Sequence, residues 1–446
     1  MAVQEHNDLD FSPFFAAYSV SPFVMPACSE NYSVQTWALL LESSTNEQRL
    51  IVWPRIKADL KSSILAQMHT SSRVELINVL TDKNLEFALN TATGAEAIEI
   101  INSLPEKKAS SVIRKLSSAI VQSVTISQSY ATDQIGRYAN PDVYTIKLDD
   151  DMQAIISDIT ASGLPQYTDS LIVIDDKGFY QGLVEINTIL TATANDSIRS
   201  LIVNELAIQG TTSLLEASTT IKTSKRSMLP IITDNNLLLG RISISDALNI
   251  FQSHFEAQIA HLGKVNDEDL FAPTIISAKR RATWLGINLI TAFMASIIIG
   301  VFDKVVSEVV ALAILMPIVA SMGGITGSQT LTLAIRGLAT GTLVQGNYKA
   351  LRNKELRVSV INGVLWAIVV AIITGYWFND AWLSAILAMA LIVNMFVAAL
   401  FGLIIPMTLN RLKIDPALAG SVILTTVTDV VGFFVFLGAA SIVFLN

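Results

Sequence analysis

Val305–Leu343 reads VVSEVVALAILMPIVASMGGITGSQTLTLAIRGLATGTL, and the number of times this stretch crosses a bilayer decides the architecture of everything after it. Crossing the hydrocarbon core as a helix takes about 20 residues, so its length allows two crossings. The flanking charges allow one. Lys279, Arg280 and Arg281 precede the apolar stretch Trp284–Phe302, and Lys349, Arg352, Lys354 and Arg357 precede Val358–Phe378. Loops rich in Lys and Arg stay in the cytosol. With both clusters inside, the crossings between them must be even in number. Trp284–Phe302 supplies one and Val305–Leu343 the other, with length to spare.

The surplus holds Pro317 and Gly323-Gly324-Ile325-Thr326-Gly327-Ser328-Gln329, a sequence that predicts a broken helix. Irregular backbone at membrane depth survives only where protein or a water-filled path satisfies its polar groups. Gly323, Gly324, Gly327 and Gln329 are therefore candidate pore-lining residues. Gly323 and Gly327 also form a GxxxG pair, which packs helices, and spacing alone does not separate the two readings.

Two further apolar stretches follow, Ala381–Leu409 and Ala417–Leu445, with Arg411 and Lys413 between them. The expectation is five spans, with the N-terminus inside and the C-terminus outside. Asp429 falls within the last span, in Thr425-Thr426-Val427-Thr428-Asp429. An intramembrane carboxylate costs about 2.5–3.5 kcal/mol on insertion scales and marks an ion or proton path. The competing reading is a structural salt bridge to Arg336. Ser421 and Thr425 lie two turns and one turn before Asp429 on the same helix face, giving a stripe of hydroxyls and one carboxylate. Mg²⁺ prefers oxygen and surrenders its waters reluctantly, so such a stripe suits a hydrated ion. Asn394, in the fourth span, offers another oxygen or an interhelical hydrogen bond.

Composition agrees with a chain part soluble and part embedded. Of 446 residues 51% are hydrophobic and 15% charged, and the net charge is −8. The acids concentrate before Trp284, whereas the remainder carries eight Lys and Arg against six Asp and Glu. An acidic soluble half argues against nucleic acid or anionic lipid as its partner and suits cations. The single cysteine, Cys28, excludes an internal disulfide. Acids at Glu5, Asp8 and Asp10, with Pro13 and Pro22 beyond them, lead to the expectation that no signal peptide is cleaved. His6, His69, His254 and His261 have no metal-ligand spacing with Cys28, and no nucleophile–base pair is visible, so an enzyme is not expected.

From Val34 to Ser118 short amphipathic segments alternate with polar linkers, predicting a helical superhelix. Further on, Leu171-Ile172-Val173-Ile174-Asp175 with Gly182-Leu183-Val184 reads as strand, turn, strand, and Leu229-Pro230-Ile231-Ile232-Thr233-Asp234 with Gly240-Arg241-Ile242-Ser243 repeats it. An amphipathic helix precedes each. Two such halves resemble a tandem cystathionine-β-synthase (CBS) domain pair. Gly240 to Asp246 is similar to the Gly-x-x-Ser/Thr-x-x-Asp pattern with which some CBS pairs hold a nucleotide ribose. Ser243 and Asp246 would hold ATP there; Glu185 and Thr188 stand at the matching places of the first half.

The expected fold class is thus mixed: an α-helical superhelical N-terminal domain (34–134, after a segment 1–33), an α+β tandem CBS pair (135–250), a connecting helix (251–280) and an all-α five-span domain (281–446). This order resembles the MgtE family of Mg²⁺ channels over nearly the whole chain. Arg281-Ala282-Thr283-Trp284-Leu285-Gly286-Ile287-Asn288 is similar to the family's first span. Met322 to Gln329 with Arg336-Gly337-Leu338-Ala339 resembles its Gly-Gly-Asn-x-Gly-x-Gln…Arg-Gly-Leu-Ala signature, and Asp415-Pro416-Ala417 with Thr425 to Asp429 resembles its last span.

The resemblance implies a homodimer in a bacterial inner membrane, with the soluble domains in the cytosol and the pore between subunits. Asp429 would be the pore carboxylate facing a hydrated Mg²⁺. Asp415 would be the acid at the cytosolic end, where the connecting helix closes the pore. Asp246 and Glu256 would be among the acids that regulatory Mg²⁺ screens, linking ion binding to the closed state. Ile325, Ser245 and Asn249 depart from the family pattern, and the connecting helix keeps only Glu256 as an acid. Weak closure by cytosolic Mg²⁺, or closure by another input, is expected. An H⁺- or Na⁺-coupled transporter of Co²⁺, Mn²⁺ or Ni²⁺ is the alternative; a membrane-anchored sensor leaves Asp429 unexplained.

Overall fold

The computed structural model describes residues 32–445 apart from 115, 117, 193–196, 204–206, 266–273 and 345. The chain divides after Phe255 into two compact units. The first opens with helices α1 (Val34–Ser43), α2 (Asn46–Val52), α3 (Lys61–Gln67), α4 (Thr70–Val79), α5 (Asp82–Asn90), α6 (Gly94–Asn102), α7 (Glu106–Ile113) and α8 (Ser118–Gln128). Capping boxes start two of them, Thr45 with Gln48 and Thr93 with Glu96, each satisfying otherwise orphaned backbone N–H groups.

What stacks these helices is a buried apolar doublet that returns every 12 residues: Leu40–Leu41, Val52–Trp53, Ile64–Leu65, Leu76–Ile77, Ala88–Leu89 and Ile100–Ile101. No single helix of this length could bury that doublet alone, so neighbours stack and share one core. Two buried arginines tie alternate turns together. Arg49 donates to Leu41 O (2.7 Å) and Glu42 O (3.1 Å) and pairs with Glu75. Arg73 donates to Ala66 O (3.0 Å) and Met68 O (2.7 Å) and pairs with Glu99.

The CBS pair follows as two three-stranded sheets. In the first, β1 (Thr145–Lys147) runs parallel to β2 (Ser170–Ile174), which is antiparallel to β3 (Tyr180–Glu185); α9 (Met152–Ser162) crosses between β1 and β2. Short helices α10 (Ile186–Thr191) and α11 (Ile198–Leu201) lead to the second sheet, where β4 (Ile208–Gln209), β5 (Met228–Ile232) and β6 (Leu238–Ser243) repeat the pattern around α12 (Leu214–Ser224). The repeat holds in detail. Leu171 faces Val184 as Leu229 faces Ile242, and the register slips at Val173/Ile174 as at Ile231/Ile232. Arg241, 4% exposed, closes the two halves on each other by donating to Asp142 O, Gln166 O and Thr168 Oγ1. Burial pushes its pKa below the usual arginine range, with Asp246 and Asp142 opposing that shift.

The connecting helix, α13 (Ile244–Leu262), starts directly at the end of β6, earlier than the expected 251. Beyond it come α14 (Thr274–Val301), α15 (Asp303–Glu308), α16 (Val310–Ala339), α17 (Tyr348–Phe378), α18 (Ala381–Arg411) and α19 (Pro416–Phe444). Five of these, all but α13 and α15, are long and apolar enough to cross a membrane. α18 is the centre of the bundle, with half of its most apolar window buried, against 6% for α14.

A carboxylate on the last helix as candidate ion site

The glycines of Val305–Leu343 do not break the helix. α16 runs uninterrupted from Val310 to Ala339 with Pro317 inside it, and the surplus length is taken up by the short α15. The expected irregular segment is therefore corrected to regular helix, and the reason is packing. A Cβ on Gly323 would collide with the Asn394 amide of α18, one on Gly327 would lie 3.0 Å from Leu424 of α19, and one on Gly402 of α18 would lie 2.9 Å from Gly327 O. Missing side chains let three backbones approach closely, which is what small residues do between membrane helices. Gly324 faces open space, and Gln329 is exposed with Ser321, Ser328 and Thr332. Asn394 is wholly buried, away from that open side, and does not line it.

Asp429 stands half-buried near the middle of α19. Among the described residues it makes no hydrogen bond or ion pair, and Arg336, exposed on α16, does not neutralise it. Thr425, one turn away, is exposed and donates to Ser421 O at 2.8 Å. Thr426 and Thr428 likewise donate back to Val422 O and Thr425 O. These bonds use the hydroxyl protons and leave the oxygens as acceptors. Ser421 Oγ is buried without a partner among the described residues. The expected stripe is thus open at Thr425 and Asp429, one acceptor oxygen and one carboxylate suited to the water shell of a cation, while Ser421 Oγ and Thr428 are turned inward.

At the N-terminal end of α19, Asp415 does two jobs. Its Oδ1 accepts from Ala417 N (2.8 Å), capping the helix, and its Oδ2 lies 2.6 Å from Nδ1 of His261 on α13. An ionised carboxylate only accepts, so the imidazole nitrogen carries the proton in this bond. The sequence offers His261 only as a histidine without metal-ligand spacing, and a bond to a residue 154 positions away leaves no local signal.

The remaining metal candidates both lie on α13. Asp246 accepts from Ser243 N (2.8 Å) and Ser243 Oγ (2.7 Å) and so caps the start of α13, while Glu256 is exposed further along that helix. Among the described residues no group of three or more His, Cys, Asp or Glu side chains could hold a metal ion. Ser243 is 4% exposed and its hydroxyl is spent on Asp246, which leaves Asp246 Oδ1 as the acceptor a ribose would meet.

Known proteins resemble the chain at both ends. Residues 316–439 match the MgtE family described as divalent cation transporters, and residues 32–133 match the MgtE intracellular N domain. The magnesium transporter MgtE of Bacillus subtilis (strain 168) is 21% identical over 412 residues, 91% of this chain and 90% of that protein. The magnesium transporter MgtE of Thermus thermophilus is 27% identical over 276 residues, 60% of this chain and 61% of that protein. A solved structure of the cytosolic domain of the Mg²⁺ channel MgtE in complex with ATP superposes with a TM-score of 0.45 at 14% identity, covering 50% of this chain and 91% of that one.

Proposed function

The chain belongs to the MgtE family of Mg²⁺ transporters with cytosolic regulatory domains, and from that premise we propose that it passes hydrated Mg²⁺ along the Ser421–Thr425–Asp429 stripe, at an interface between two copies of the chain. The observation that carries this reading is a half-buried Asp429 in a membrane helix, without a partner among the described residues. An uncompensated charge facing hydrocarbon is costly, whereas the same charge beside a wet cation path is not. A mixed face on α16, with Ser321, Ser328, Gln329 and Thr332 exposed in a single chain beside Ile325 and Leu333, supports a second copy there, its polar groups turned to water and not to lipid.

The soluble domains and α13 lie in the cytosol in this reading, and α13 closes the path at the Asp415 end. Closure leans on the His261–Asp415 bond in place of the acids the family carries on this helix. Asp415, Asp246 and Glu256 remain the acids that Mg²⁺ would screen, weakly because α13 carries no acid beyond Asp246 and Glu256. ATP would meet the CBS pair at Asp246, which titration calorimetry of wild type against Asp246→Ala tests.

Mg²⁺ influx into proteoliposomes tests the main reading. Wild type is expected to take up Mg²⁺ and Asp429→Ala to lose uptake while eluting and melting as folded protein. Undiminished uptake by Asp429→Ala would overturn it.

A further inference from the structure

Asn394 is the most deeply placed amide in the helical bundle, 0% exposed at the middle of α18. Its Nδ2 donates to Val319 O of α16 at 2.9 Å, while its Oδ1 has no partner among the described residues. Glycine faces it on both neighbours. A Cβ on Gly323 of α16 would collide with the amide, and one on Gly432 of α19 would lie 2.6 Å from it. The side chain therefore fills a slot made by two absent side chains, one on each flanking helix. A leucine would fill the same volume without burying an unsatisfied oxygen, so filling space does not account for an amide here. Gly432 sits about one helical turn beyond Asp429 on α19.

We propose that Asn394 is a positioning residue for the ion site. It hydrogen-bonds α16, abuts α19 at Gly432, and thereby fixes how far Asp429 stands from the polar face of α16. It touches neither the ion nor its waters; it sets the geometry in which Asp429 and the α16 oxygens meet the same hydrated ion. This rests on the transport reading above. Site geometry of this kind depends on supporting groups as much as on the ligands themselves, and small displacements weaken binding.

The test is Mg²⁺ influx against Mg²⁺ concentration in proteoliposomes for wild type, Asn394→Ser, Gly432→Ala and the double variant, each checked for folding by gel filtration and melting. Asn394→Ser removes the tether and is expected to raise the half-saturating Mg²⁺ concentration about five-fold, the worth of one net hydrogen bond. Gly432→Ala pushes α19 off the amide and is expected to raise it similarly. Serine lacks the Nδ2 that lies 2.6 Å from the added methyl, so the double variant is expected to be no worse than Asn394→Ser alone. A merely structural role would lower the maximal flux by reducing folded protein and leave the half-saturating concentration where it was. That result, or effects that multiply in the double variant, overturns the inference while the transport reading stands. Wild-type liposomes that take up no Mg²⁺ overturn both.

Discussion

His261 and Asp415 are 154 positions apart in the chain, yet Nδ1 of one meets Oδ2 of the other at 2.6 Å. The same carboxylate caps α19, so the connecting helix grips the last span at its first residue. A hydrogen bond to a charged group is worth about 1.5–3 kcal/mol. Asp415 is 38% exposed in this pair, which argues for the lower end. If α13 closes the path, His261→Ala is expected to cut the closed-to-open ratio about ten-fold. Single-channel open probability at low cytosolic Mg²⁺ measures it, and an unchanged value would separate this bond from gating.

Asp429 also distinguishes a channel from a coupled carrier. A carrier would use the carboxylate as its titrating group, so uptake would need a proton or sodium gradient. The expected outcome is Mg²⁺ influx that persists when ionophores collapse both gradients. Influx that stops under those conditions would favour the coupled alternative.

In the N-terminal superhelix, Arg73 is 3% exposed and satisfies three backbone carbonyls, Ala66 O, Met68 O and Glu99 O, as well as the Glu99 carboxylate. Arg73→Ala strands those carbonyls. Because Glu99 remains 43% exposed, its lost pairing adds little. The expected cost is about 2 kcal/mol, a fall of roughly 8–16 °C in the melting of a superhelix of this size. Limited proteolysis on heating reads this without any transport assay.

Arg241 plays a comparable part between the CBS halves. Arg241→Met keeps most of the volume but leaves Asp142 O and Gln166 O without their donor. Loosening of the two halves by about 2–3 kcal/mol is expected, seen as faster amide exchange in β1, β2 and β6. Exchange equal to wild type would mean that the sheets hold together without the guanidinium.

Much of this was legible in the sequence because the signals were strong and local. Five spans follow from hydropathy and from basic clusters on alternate loops. The CBS strands follow from a repeat so regular that even the register slips recur. The run around Gly323 was ambiguous for a physical reason. Glycine marks both broken helix and close helix contact, and the deciding neighbour, Asn394, hydrogen-bonds across 75 positions where no periodicity reaches. The His261–Asp415 bond was hidden in the same way. The doublet at Leu40–Leu41, Val52–Trp53 and Ile64–Leu65 was different: its 12-residue period lies in plain view, and autocorrelation of hydropathy would have located the superhelix repeat by repeat.

That period has a mechanical consequence. Coils joined to their near neighbours, with Arg49–Glu75 and Arg73–Glu99 reaching across alternate turns, share any imposed twist among all of them. A small rotation at each doublet from Leu40 to Ile101 costs each contact little and accumulates along the stack toward its last helices.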